Sequence, residues 1–237
     1  MDMTNKAKIK QQIEIIRKKT FLDATLDRVF KMLFSVDSAL IHFLNAILHL
    51  PDATKIVSIS RPKKVTVKLD SGEGSEIVRF DIHAKLKNKQ FIDLEMQRAG
   101  HTDFLDRIEL YSSLLEINSK ISFDKGRPKR EKNVHPYLMP ETYSIWLCNF
   151  KVPFSKSYRE ELGLFRLSDI GNPKALPIYT KKRYIIIDLT KYKAARNTPE
   201  AEWLKLIATS ASATSAPKTT DKAIADAYSR LQVKNAS

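Results

Sequence analysis

From Glu76 to Gln97 apolar and polar side chains alternate with a period of two, interrupted only by the polar connection Lys87-Asn88-Lys89. Extended backbone sends successive side chains to opposite faces, so this pattern predicts two antiparallel strands rather than a helix. Lys64 to Leu69 alternates as well and reaches Glu76 through the turn Ser71-Gly72-Glu73-Gly74, which extends the pair into an antiparallel meander. The flanks have a different period. Leu26, Val29, Phe30, Leu33 and Phe34 recur at helical spacing with Asp27 and Lys31 as an i,i+4 pair. Asp37 or Ser38 caps a further helix carrying Leu40, Ile41, Leu44, Ile47 and Leu48, which Pro51 stops. Thr102 caps a helix over 103–118, Tyr143 to Phe150 and Tyr184 to Leu189 read as buried strands, and Pro199 opens a helix with Trp203, Leu204 and Ile207. A basic helix with Ile9, Ile13 and Ile16 precedes this block, and a last amphipathic helix over 221–233 follows it. Strands enclosed by helices on both sides make this an α/β chain.

The alternation also sorts polar groups by face. Phe80, Ile82, Ala84 and Leu86 share one face of their strand, opposed by Asp81, His83 and Lys85; Ile92, Leu94 and Met96 oppose Asp93, Glu95 and Gln97. With the apolar faces packed on helices, Asp81 and Glu95 share one surface of adjacent strands. Two hard oxygen ligands suit Mg²⁺, which keeps several of its waters. A water acidified by such an ion can attack a phosphodiester. The plain alternative is a half-exposed hairpin with acids on its wet face. Charge points the same way as the acids: the formal net charge is +14, and basic residues gather at 61–68, 125–132, 181–183 and 191–196. Such a field favours a polyanionic partner. Cys148 is the single cysteine, so an internal disulfide is excluded. No apolar run is long enough to span a membrane, and residues 1–20 lack the apolar centre of a secretory signal. A cytoplasmic location without membrane association is expected.

Several motifs follow one another in a fixed order. Asp27-Arg28-Val29-Phe30-Lys31-Met32-Leu33-Phe34 is followed by Phe43-Leu44-Asn45-Ala46-Ile47-Leu48, by the Asp81 strand, and by Glu95-Met96-Gln97. Arg107 and Tyr111 then form Arg-x-x-x-Tyr, and Tyr137-Leu138-Met139-Pro140 leads into a hydrophobic strand. This order, from about Phe21 to Leu189, resembles the PD-(D/E)XK nucleases, in particular the branch of nuclease family transposases and recombination-promoting nucleases.

The resemblance implies a restriction-endonuclease-like core, a mixed sheet with an antiparallel meander flanked by helices, with helical appendages at both ends. The expected divisions are a basic helix over 1–20, the nuclease-like domain over 21–207, an Ala/Ser/Thr-rich linker over 208–220 and a terminal helix over 221–237. It implies a metal-dependent endonuclease acting on DNA in a bacterial mobile-element, recombination or defence setting. Asp81 and Glu95 correspond to the family's acids for Mg²⁺ or Mn²⁺, Asp27 projects toward them, and Gln97 stands where the superfamily has a lysine. Glutamine donates a hydrogen bond but brings no charge, so Lys85 or a residue of the Arg107 helix is expected to compensate. Arg107, Lys125, Arg127, Lys129 and Arg130 are the expected nucleic-acid contacts. A homodimer is compatible with this reading. The alternatives are a family member that binds DNA without cutting it and a non-enzymatic protein-interaction module.

Overall fold

The computed structural model describes residues 10, 14–15, 18–62, 66–70, 75–87, 89–193 and 198–235. The expected basic helix over 5–19 therefore lies largely outside the described residues. In chain order the elements are α1 (Asp27–Leu33), α2 (Asp37–Leu48), β1 (Ile59–Ser60), β2 (Thr66–Asp70), β3 (Ser75–Arg79), β4 (Ile82–Leu86), β5 (Phe91–Gln97), α3 (Phe104–Lys125), α4 (Lys129–Val134), β6 (Thr142–Cys148), β7 (Arg159–Leu164), β8 (Tyr179–Asp188), α5 (Pro199–Thr209) and α6 (Lys222–Leu231). They fall into two compact units, one formed by residues 1–55 with 192–237 and the other by residues 56–191.

The first unit is helical. Its centre is a cluster of rings: Phe34 lies 5.1 Å from Phe30, 4.8 Å from Phe43 and 5.5 Å from Trp203, all buried. Offset and edge-on ring contacts of this kind add to the area they remove from water. The Trp203 indole donates to His42 Nδ1 (2.9 Å), and His42 Nε2 lies 3.1 Å from Asp221, the residue capping α6. Helix α5 starts as its sequence implies, with Thr198 accepting from Ala201 N and proline in the first turn. Ser210, in the expected linker, is buried and accepts from Ala24 N (2.9 Å). No single described helix is long and apolar enough to cross a membrane; α1 with α2 reaches that length together but is bent by 97° at the break.

The second unit is a six-stranded mixed sheet of order β1-β4-β5-β6-β8-β7, with β2 and β3 forming a separate two-stranded ladder. β5, β6 and β8 are parallel neighbours, while β4 and β7 run antiparallel at their sides. The parallel strands are covered on both faces, which is why every residue of β5 and β6 is buried and why Ile185-Ile186-Ile187 ends β8.

The expected meander divides at Phe80-Asp81, where a bend separates β3 from β4. An uninterrupted strand would place Phe80 on the face of Ile82. The bend moves it to the opposite face, into a buried cluster with Phe91, Phe104, Ile108, Tyr111 and Trp146. Helix α3 supplies three of those residues and so lies over the face that carries the polar side chains of β5. That helix continues to Lys125, beyond the expected end at 118, with Lys120 paired to Asp124 at 2.8 Å. The expected basic loop after it contains the short helix α4.

Candidate active site

The ladder of β4 and β5 sets Ile82 opposite Leu94 and His83 opposite Asp93. Asp81, just before β4, thus arrives beside Glu95. Two crossed hydrogen bonds fix the pair: Asp81 N–H donates to Glu95 Oε1 (2.8 Å), and Met96 N–H donates to Asp81 Oδ2 (3.0 Å). Each carboxylate is held by the other strand's backbone, so the two acids stand together on one side of adjacent strands. Gln97, 9% exposed, turns its amide back and donates to Glu95 Oε2 (3.3 Å).

A third acid, Asp93, belongs to this cluster. It is fully buried, and neither of its oxygens has a partner with hydrogen-bond geometry among the described residues. Burial pushes the Asp93 carboxyl well above the usual carboxylate range, the Asp81 charge pushes it further, and the neighbouring Glu95 side chain pulls slightly the other way. Glu95 is raised too, by burial first and then by the charges of Asp93 and Asp81, against the Asp81 amide and Arg107. Like charges at close range in a dry site cannot all ionise, so a nearby cation is what would let them do so. The alternation of β5 already put Asp93 on the face of Glu95. What singles it out is its complete burial, and that is legible only once α3 is seen to cover this face.

Helix α3 adds a cation and a phenol. Arg107 Nη2 donates to Tyr111 Oη (2.9 Å) and the guanidinium lies 4.7 Å from the centre of the same ring. Burial raises the Tyr111 hydroxyl, the Arg107 charge opposes that rise, and the charges of Glu95, Asp81 and Asp93 add to it. Lys85 is elsewhere. It pairs with Phe91 in the ladder and sits over that ring at 5.4 Å, at the end of the hairpin away from Glu95. Four residues of extended chain separate it from Asp81, about 13 Å. His83 has both ring nitrogens buried without partners among the described residues, and burial lowers its pKa to about 4.

Asp27 lies in the helical unit and pairs with Lys31 one turn along α1. Of the residues expected to contact nucleic acid, Lys125, Lys129 and Arg130 are exposed. Arg127 differs. It is 5% exposed, and its guanidinium is used inside the α3–α4 corner by Asp124 (2.9 Å) and the carbonyls of Glu131 (3.0 Å) and His135 (3.3 Å). An arginine this enclosed holds a turn together rather than presenting charge to a partner.

The donor set suits a hard divalent cation. Asp81 and Glu95 offer two carboxylates from rigid strands, and Mg²⁺ needs only one or two with water completing its shell. Among the described residues no group of three or more His, Cys, Asp or Glu is arranged to hold a metal ion.

A sequence model of the family described as PD-(D/E)XK nuclease family transposase matches residues 24–237. No curated protein and no solved structure gives a match.

Proposed function

The chain belongs to the PD-(D/E)XK nuclease family transposases, and from that premise we propose that it is a metal-dependent endonuclease that hydrolyses phosphodiester bonds in DNA. The observation carrying this reading is the crossed pair of hydrogen bonds between Asp81 and the Glu95 strand, which holds two carboxylates side by side at the edge of the buried cluster. Asp81 and Glu95 would hold Mg²⁺ or Mn²⁺. The ion would acidify a bound water and polarise a phosphoryl oxygen. Gln97 steadies Glu95 through its amide, and the walls made by α3 keep bulk water off the acids, which strengthens every charge interaction among them.

DNA would be held chiefly through phosphate contacts. The net charge of +14 supports that, and Lys125, Lys129 and Arg130 are exposed to make such contacts. Binding of this kind weakens steeply with salt and reads little base sequence. A mobile-element, recombination or defence role in a bacterium fits the family's description. The test is plasmid nicking and linearisation with Mg²⁺ or Mn²⁺ by wild type, Asp81→Ala and Glu95→Ala. The expectation is a loss of at least about 100-fold in each variant with DNA affinity in EDTA retained. Equal cutting by all three would mean that these acids do no chemistry.

One feature favours a second reading, a member that binds DNA without cutting it: Gln97 brings no charge where the superfamily's lysine would stand. Intact DNA binding with no cleavage by the wild type at any metal concentration would select it.

A further inference from the structure

The acidic cluster has beside it a cation that its acids do not consume. Arg107 is half-buried on α3, and its Nε is buried without a hydrogen-bond partner among the described residues. Its partner Tyr111 packs against Phe80, which precedes Asp81, and against Trp146, the ladder neighbour of Glu95, with ring centroids 6.1 Å and 5.4 Å away, yet Arg107 forms no ion pair with an acid among the described residues. A guanidinium present only to neutralise Glu95 would close onto it. Instead its Nη2 donates to the Tyr111 hydroxyl (2.9 Å) and the guanidinium lies 4.7 Å from the centre of that ring, which leaves Nη1 without a partner among the described residues. The two other candidates for positive charge or donation are committed. Gln97 is turned to Glu95, and Lys85 sits over Phe91 at the other end of the hairpin.

We propose that Arg107 is a catalytic residue, its guanidinium contacting a non-bridging oxygen of the scissile phosphate and stabilising the negative charge that builds there in the transition state, with Tyr111 as the residue that positions it. This rests on the nuclease reading and fills the role that Gln97 leaves vacant. In the step itself the oxygen of water bonds to phosphorus and one ester P–O bond breaks. One product end keeps the phosphate as a monoester, and the other leaves as an alcohol that takes up a proton. Arg107 remains protonated throughout and exchanges nothing. A guanidinium already held by Tyr111 needs little reorganisation as charge develops, which is where such donors gain their effect.

The test uses the full chain and a labelled DNA duplex under single-turnover conditions with saturating Mn²⁺. DNA affinity is measured by anisotropy in EDTA, and Mn²⁺ affinity by calorimetry. Arg107→Gln is expected to slow the saturated rate by about 100-fold or more, with DNA Kd within about threefold and Mn²⁺ binding no weaker. Arg107→Lys recovers part of the rate. Tyr111→Phe slows it by about tenfold at unchanged DNA Kd and adds nothing to Arg107→Gln in the double variant, since both act through one guanidinium. Thermal melts check each fold; should Arg107→Gln unfold, the same rate-against-affinity comparison on Arg107→Lys decides. An unchanged saturated rate overturns the proposal, as does a loss seen only in DNA Kd or only in Mn²⁺ affinity. A wild type that never cuts overturns this inference together with the nuclease reading, whereas a wild type that cuts and an Arg107→Gln that cuts equally well overturns this inference alone.

Discussion

His83→Phe isolates the energetic cost of the covered face. The imidazole lies between the rings of Phe80 and Phe91, with centroids 5.4 Å and 6.2 Å away, and neither nitrogen has a partner among the described residues. Asp93 stands directly opposite in the ladder, and burial pushes its carboxyl well above the usual carboxylate range. Burial alone lowers the His83 pKa from 6.5 to about 4. An unfolded chain takes up its proton near 6.5 and the folded one only near 4, so between those values the unfolded state binds more protons. The contribution to stability is therefore complete above pH 6.5 and lost as pH falls to about 4. A gap of about 2.5 pH units at about 1.36 kcal/mol per unit gives about 3.4 kcal/mol. Urea unfolding of wild type and His83→Phe in EDTA, from pH 7.5 to 4, reads this directly, because all other titrating groups are common to both. Phe fits the aromatic surroundings and any constant packing offset cancels. The stability of the wild type relative to the variant should fall by about 3 kcal/mol across the range. Parallel curves would refute the reasoning, and a wild type that gains relative to the variant as pH falls would mean that His83 has an acidic partner.

Three further outcomes follow from the structure. Arg127→Ala should cost about 2–3 kcal/mol in urea by stranding the carbonyls of Glu131 and His135, while leaving the salt dependence of DNA affinity unchanged. Lys129→Ala and Arg130→Ala should do the reverse: stability within about 0.5 kcal/mol of wild type, and a slope of log Kd against log salt that is shallower by about one for each residue. Burial and the nearby Asp188 charge push the Cys148 thiol up, so a thiol reagent should label it only at the rate of unfolding. Fast labelling of the native protein would show that β6 opens locally.

Much of this arrangement was written locally in the chain. The period-two run fixed the pairing of β4 with β5, and so brought Asp81 to Glu95. The proline and acids at 199–202 fixed the start of α5. What local pattern cannot convey is which face of a sheet a distant helix covers. Alternation is equally compatible with an open polar face on the hairpin, but α3 packs there, drawn by Phe80, Phe91 and Trp146. For that reason the shared face of Asp93 and Glu95 was legible but the burial of Asp93 was not, Lys85 looked closer to the acids than it is, and the bend at Phe80-Asp81 was invisible. β7 escaped notice because it is an edge strand with mostly exposed side chains and a register shift at Leu162 to Leu164, which leaves no clean alternation. Arg127 was indistinguishable by composition from its basic neighbours. Only its enclosure by the α3–α4 corner separates it from them.

The helical unit is assembled from the two ends of the polypeptide, with the whole of 56–191 interposed. A ribosome working from the N-terminus therefore releases Phe30, Phe34 and Phe43 long before Trp203, the ring that completes their cluster. The sheet-bearing segment is contiguous and can form as soon as β8 emerges. During synthesis a finished sheet would thus coexist with a half-built helical unit whose rings are still uncovered, and this interval is when the nascent chain should depend most on chaperones.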